Sequence, residues 1–128
     1  MTFEVKKYLI NEKDSIRNAL KKLEANHDGM VFVETQDGKV IGLATDGDIR
    51  RALLKGVVIE DNVSKCMNCD FVWASTEANR EELIKQLDSH IHFIPILDES
   101  KRLQKIISKN FLPLESEKSI YIRSRAPV

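Results

Sequence analysis

The stretch GLATDGDIRR, residues 42–51, decides how this chain is interpreted. It begins in an apolar run that is typical of a buried strand, and Ile49 then starts the apolar side of a helix that Gly56 ends. Thr45 and Asp48 stand at the junction with the i, i+3 spacing of a helix-capping box. A helix start also offers backbone N–H groups and a carboxylate to a bound molecule. Capping and ligand binding are therefore both open at this junction.

The residues around this junction predict one βαββα unit. A short extended segment over 8–10 precedes a helix that begins near Ser15 and repeats apolar residues at i, i+3, i+4 and i+7. Residues 30–33 indicate a buried strand, and Asp37-Gly38 is a typical hairpin signal before a return strand over 40–44. The helix after Thr45 completes the unit.

The second half of the chain repeats this order. Val33 aligns with Ile96 and Val40 with Leu103 at one constant displacement without a gap, and Thr45 then falls opposite Ser108. The first helix of each half aligns at a displacement one residue longer. We expect a strand over 71–73, a helix from 77–78 with Leu83, Ile84 and Leu87 inward, and strands over 93–97 and 103–107.

A repeat of this kind predicts how the halves associate. A three-stranded sheet covered by helices on one side leaves its other face bare, so two copies should pack together about a pseudo-two-fold axis. That packing leaves a cleft between the copies, where ligands commonly bind.

Residues 42–51 resemble the strand-turn-helix signature of the CBS domain family, Gly-h-h-Thr-x-x-Asp-h, in which h is apolar. Residues 63–68, VSKCMN, resemble the family's approach to a second repeat. The resemblance covers about residues 8 to 112 and implies a tandem pair, or Bateman module: an α/β fold of two βαββα CBS repeats about a pseudo-two-fold axis. We expect the first repeat over 1–62, the second over 63–114 with a degenerate last helix, and a C-terminal strand or linker over 115–128.

The resemblance also implies a binding site. In that family the Thr and Asp of the signature bind the ribose and phosphate of an adenosine-type ligand, for which AMP and ATP are the candidates here; no cofactor is required. An arginine one turn further on is placed to pair with phosphate oxygens, and the adenine would lie against the start of the buried strand and the segment before the first helix. The expected ligand-binding set is Thr45, Asp46, Gly47, Asp48, Arg50, Arg51, Met30, Val31, Ile10 and Asn11.

The second repeat departs from the signature. Phe111 stands where the ribose-binding Asp is expected, and Pro113 shortens the helix that follows. We therefore expect one competent site at most, built around the first repeat. The alternative is a ligand-free CBS pair that acts as a dimerisation scaffold.

Composition excludes other classes of function. Twenty basic and twenty acidic residues balance, so neither nucleic acid nor a membrane surface is an expected partner. The start of the chain lacks the apolar core of a signal peptide, and two cysteines suit a reducing, cytoplasmic setting. Cys66 and Cys69, with His90 and His92, have zinc-ligand residue types, but a single such pair is a frequent coincidence and we expect no metal. No nucleophile–base constellation is visible, so the chain is not expected to be an enzyme itself.

The form of the signature suggests a larger parent protein. TDGDIRR resembles the version in CBS pairs that precede sugar-phosphate nucleotidyltransferase domains, and residues 118–128 start like a strand. The resemblance implies an attached catalytic domain C-terminal to residue 128 and a homodimer. The expected function is nucleotide sensing on behalf of that enzyme.

Overall fold

In the computed structural model, residues 5–87 and 91–108 are described. A short 3-10 turn (Val5–Tyr8) leads into the first repeat, and a second (Val63–Lys65) leads towards the other. The first repeat has five elements, which are β1 (Leu9–Asn11), α1 (Ile16–Asn26), β2 (Met30–Glu34), β3 (Val40–Thr45) and α2 (Asp46–Leu54). β2 is the central strand of this sheet, parallel to β1 and antiparallel to β3.

The described elements of the second repeat follow the same order along the chain, and they form a second three-stranded sheet with the same topology. These elements are β4 (Ala74–Ser75), α3 (Arg80–Gln86), β5 (Phe93–Leu97) and β6 (Leu103–Ser108), and β5 is central, parallel to β4 and antiparallel to β6. Met30 pairs with Thr45 in the first sheet as Phe93 pairs with Ser108 in the second. Both hairpins shift register at the matching position. The prediction of two related α/β repeats is therefore confirmed.

Each helix begins where a side chain caps it. Ser15, near which the sequence predicted the start of α1, accepts a hydrogen bond from the backbone N–H of Asn18. α3 starts later than predicted, because Asn79 is the residue whose side chain accepts from the backbone N–H groups of Glu81 and Glu82. α1 ends at His27, which adopts a left-handed conformation with φ 63°.

Alternation along β2 divides the core into layers. Val31 and Val33 face α1 and α2 and pack with the buried face of α1, which includes Ile16, Ala19 and Leu23. Met30 and Phe32 point the opposite way into a cluster shared by the two repeats, together with Val40, Leu97, Leu103 and Ile106. The two sheets thus cover each other's helix-free faces, as predicted. A third cluster packs α3 on the second sheet through Leu83, Leu87, Ile94, Ile96 and Ile107.

The segments that precede each repeat lie against the other repeat or between the two. Val63 and Cys66 are buried in the core of the first repeat, and Asn68 pairs with Leu43 of β3. In the reciprocal place, the turn at Val5–Tyr8 contacts β6, and Tyr8 belongs to the cluster between the sheets. This exchange is what packing about a pseudo-two-fold axis requires.

Two expectations for the second repeat were wrong. Residues 71–73 are not a strand, because Phe71 instead packs towards Phe32 between the sheets and pairing with β5 begins only at Ala74. Ile84 is 40% exposed rather than inward-facing. Trp73, at the end of the same segment, is 42% exposed, and its ring lies under the Lys101 ammonium at 3.6 Å.

Some expectations lie outside the described residues: the shortened helix at Pro113, the residue Phe111 and the segment 115–128. Among the helices that are described, none has the length and apolarity to span a membrane.

Candidate functional site

A cleft of about 380 Å³ lies between the two repeats, and we call it the inter-repeat cleft. Its first wall comes from the start of β2 and the end of β3, through Met30, Leu43 and Thr45, and continues into the first turn of α2. Its second wall comes from the segment between the repeats and the start of β5, through Phe71 and Phe93. Both repeats therefore contribute to one cavity.

Strand pairing positions the first wall. Met30 and Thr45 are register partners, so the start of β2 and the end of β3 meet at one edge of the sheet. The backbone N–H of Asp46 then donates to the carbonyl of Gly29 at 3.0 Å. This bond fixes the first residue of α2 to the loop before β2, and the helix start lies at the rim of the cleft.

The second wall is mainly apolar and aromatic, with polar groups added by Asn68, Asp70 and His92. Phe93 occupies in the second repeat the place of Met30 in the first, and Phe71 lies 6.2 Å from Phe32, centroid to centroid. Val72 and Ile91 also line the cleft. A flat ring could be enclosed between such surfaces and the apolar first wall, since pockets for small molecules are mostly apolar with a few polar groups.

Thr45 and Asp48 form a complete capping box. The Thr45 Oγ1 accepts from the backbone N–H of Asp48 at 3.1 Å, and the Asp48 Oδ2 accepts from the backbone N–H of Thr45 at 3.0 Å. The Thr45 hydroxyl also donates to Asp48 Oδ2 at 2.9 Å. Thr45 lines the cleft, whereas Asp48 is one layer behind it with its side chain 20% exposed. The local sequence thus produces a cap at the place where a ligand anchor was expected.

Both arginines of the expected set are engaged along α2. Arg51 donates to Asp48 Oδ1 at 2.8 Å, and its guanidinium lies over Gly47. Arg50 pairs with Asp46. The four side chains are mutually neutralised on the helix surface, and neither arginine is among the residues that line the cleft.

The remaining expected residues divide between two faces of the sheet. Met30 lines the cleft, but Val31 and Ile10 are 0% and 2% exposed in the core between the sheet and its helices. Asn11 accepts from the backbone N–H of Lys13 in the turn before α1. The structure therefore brings Thr45, Asp46, Gly47 and Met30 together at the cleft, and places Val31, Ile10 and Asn11 elsewhere.

Sequence reasoning missed a pair at the cleft edge. The Tyr8 hydroxyl donates to Asp28 Oδ2 at 2.6 Å, and Asp28 lines the cleft. Burial of the phenol and this carboxylate together raise the pKa of Tyr8 to about 12. Tyr8 aligns with Val72 of the second repeat, which lines the cleft, but no pattern in the sequence indicates the bond from Tyr8 to Asp28.

The two cysteines differ in environment. Cys66 is buried, and its thiol donates to the carbonyl of Val63. Burial, with a smaller contribution from the charge of Asp48, raises the pKa of the Cys66 thiol to about 11. Cys69 is exposed. Across residues 5–87 and 91–108, no group of three or more His, Cys, Asp and Glu side chains could hold a metal ion, and His90 lies outside those residues.

Known proteins share this fold. AcuB of Vibrio cholerae superposes with a TM-score of 0.73 at 18% identity, over 80% of this chain and 77% of that one. The CBS domains of a Streptococcus pneumoniae transcriptional regulator give a TM-score of 0.70 at 15% identity, over 86% of this chain and 90% of that one. A CBS domain protein of Pyrobaculum aerophilum, solved in complex with AMP, gives 0.68 at 15% identity, over 80% and 79%.

The sequence comparisons agree with the fold. An uncharacterized Helicobacter pylori (strain J99) protein is 34% identical over 55 residues, which are 43% of this chain and 17% of that protein. The sequence profile of the CBS domain matches this chain twice, over residues 5–55 and 63–110. These two matches cover well over half of the chain, which therefore belongs to the CBS domain family.

Proposed function

We propose that this chain is a regulatory module that senses an adenosine-type ligand, AMP and ATP among the candidates, in the inter-repeat cleft. The observation that carries the proposal is the position of Thr45 and the first turn of α2 at the rim of a cavity with walls from both repeats. Ligands favour such interfaces, where a few polar groups meet an apolar surface. The Pyrobaculum protein solved with AMP supports the proposal by its shared fold.

The polar anchor in this proposal is the Thr45–Asp48 pair. A carboxylate accepts hydrogen bonds from both hydroxyls of a ribose, and two hydrogen bonds from Thr45 hold the Asp48 side chain in position. Its Oδ1 is now held by Arg51, which is 66% exposed and free to rotate outward. Binding therefore exchanges an exposed ion pair, worth about 0–1 kcal/mol, for hydrogen bonds to the sugar.

Signalling would follow from the shared cavity. A ligand between Met30 and Phe93 contacts the first strands of both hairpins, and so favours one packing of the two sheets over others. The recipient in this proposal is a catalytic domain attached C-terminal to residue 128, of the sugar-phosphate nucleotidyltransferase type, in a homodimer. This part of the proposal depends on the resemblance of residues 45–51 to CBS pairs of such enzymes.

Thermal-shift measurements with adenosine, AMP and ATP test the proposal, because a ligand that binds the native state raises its melting temperature. Asp48→Asn keeps an oxygen for the Thr45 N–H but removes the charge, and should weaken binding about tenfold or more. Ser15→Ala is the matched control, because it removes the cap of α1 away from the cleft and should lower stability by about 1 kcal/mol with unchanged affinity. Equal affinity for the wild type and Asp48→Asn would refute the site.

A ligand-free dimerisation scaffold is the second candidate. The observation that favours it is that Asp48 already accepts from the Thr45 N–H, the Thr45 hydroxyl and Arg51. A pure scaffold would be dimeric by light scattering and would show no melting shift with any of the three ligands. A melting shift that Asp48→Asn abolishes would exclude it.

A further inference from the structure

Among the described residues that line the inter-repeat cleft, acidic groups outnumber basic ones. Three carboxylates line it, those of Asp28, Asp46 and Asp70, and within the described part of the chain no lysine or arginine does. The other titratable side chain among these lining residues is His92. A bound phosphate would therefore face negative charge in a partly enclosed site, where charges are less well screened than in bulk water.

The helix start does not compensate for these acids. An α-helix N-terminus attracts anions through its unbonded N–H groups and its dipole. In α2 the N–H of Asp46 is bonded to the Gly29 carbonyl, and the N–H of Asp48 is bonded to Thr45 Oγ1. Asp46 and Asp48 also place two carboxylates in the first turn. Two of the first three N–H groups of α2 are thus bonded within the chain, which weakens the helix start as a phosphate site.

The two arginines of α2 are also already paired with groups of the chain. Arg50 pairs with Asp46, and Arg51 pairs with Asp48. If either arginine turned to a phosphate, it would leave its aspartate uncompensated beside the same phosphate. The net gain for an anionic group is therefore small, whereas Asp28 and Asp70 remain on the wall of the cleft.

We infer that the inter-repeat cleft selects an adenosine-type ligand whose 5′ substituent is neutral or positively charged over one that carries phosphate. The inference rests on the proposed function and narrows it to a charge class of ligand. The apolar and aromatic walls remain the surface for the base, and Thr45 and Asp48 remain the anchor for the sugar. What changes is the end of the ligand that meets Asp28 and Asp70.

A series of three ligands tests this inference on the whole chain by calorimetry: 5′-amino-5′-deoxyadenosine, adenosine and AMP. They share base and ribose and differ in the charge at the 5′ position. We expect affinity to fall in that order, with about tenfold or more between the first and the last, and the gap to shrink at high salt. Asp70→Asn should reduce the difference in affinity between 5′-amino-5′-deoxyadenosine and AMP several-fold. Asp37→Asn, in the exposed hairpin turn outside the cleft, is the control and should leave the gap unchanged.

The outcomes separate this inference from the proposed function. If AMP binds at least as tightly as adenosine, the charge selection is wrong and nucleotide sensing stands. If none of the three ligands binds, the proposed function fails and the inference fails with it. The expected order, with a gap that Asp70→Asn narrows, supports both.

Discussion

Asp48 accepts hydrogen bonds from both the backbone N–H and the hydroxyl of Thr45, at 3.0 and 2.9 Å. The residue that we expect to anchor a ligand therefore also fixes the first turn of its own helix. A carboxylate that is held in place before binding loses little conformational freedom on binding. Capping and binding are compatible roles for this pair, and the cap is a form of preorganisation.

Arg51 should control access to Asp48. Arg51→Gln removes the ion pair to Asp48 Oδ1, so adenosine affinity should rise by a few-fold while stability changes by no more than about 1 kcal/mol. Arg50→Gln is the matched control, because Arg50 pairs with Asp46 instead and should leave adenosine affinity nearly unchanged. Calorimetry on the two variants decides. A loss of affinity in Arg51→Gln would show that the arginine contacts the ligand itself.

The packing of the two sheets should depend strongly on Phe32. This side chain is 0% exposed in the cluster between the repeats, so Phe32→Ala should cost about 3–5 kcal/mol in the free energy of unfolding. Leu54→Ala, on a side chain that is 82% exposed, should cost less than about 0.5 kcal/mol. Urea denaturation measures both. Equal costs would mean that the sheets do not pack as described.

Tyr8 should make stability fall at alkaline pH. Its pKa is raised from 10.0 to about 12 in the folded chain, so the unfolded chain loses the phenol proton first as pH rises. The contribution of Tyr8 to stability is thus complete below pH 10 and is lost as pH increases towards 12. Tyr8→Phe should remove this part of the pH dependence. Subtracting the absorbance titration of Tyr8→Phe from that of the wild type isolates the ionisation of the Tyr8 phenol. A midpoint near pH 10 would contradict the bond to Asp28.

The two thiols should react at very different rates. Cys69 is exposed, whereas Cys66 is buried with a pKa raised to about 11, so it presents little thiolate at neutral pH. Alkylation with iodoacetamide, followed by mass spectrometry, should modify Cys69 first. Cys69→Ser should abolish the fast phase and leave only slow modification that accelerates in urea. Rapid labelling of Cys66 in the folded protein would contradict its burial.

Much of the fold follows from local patterns in the sequence. Val33 aligns with Ile96 at the same displacement as other strand residues of the two halves, which predicted two copies of one structural unit. The matching strand pairings, Met30 with Thr45 and Phe93 with Ser108, confirm this repeat. The cap at Ser15 and the capping box at Thr45 were also predictable, because they depend on residues within one helical turn.

The candidate site was predicted less completely, since long-range contacts are not visible in local patterns. The bond from Tyr8 to Asp28 joins segments twenty positions apart, and nothing near either residue signals it. Alternation along β2 separates two residues of the expected set: Met30 and Val31 face opposite sides of the sheet, so only one of these side chains can line the cleft. Phe71 was assigned to a strand because it is apolar, but tertiary packing against Phe32 decides its conformation.

The central claim is that an adenosine-type ligand occupies the cleft shared by both repeats. Amide chemical-shift mapping with adenosine tests it most directly. The account predicts that signals of Thr45, Asp46 and Gly47 move together with those of Phe71 and Phe93, on one binding curve. Saturating adenosine that leaves these amides unchanged, or that shifts only the first repeat, would contradict the account.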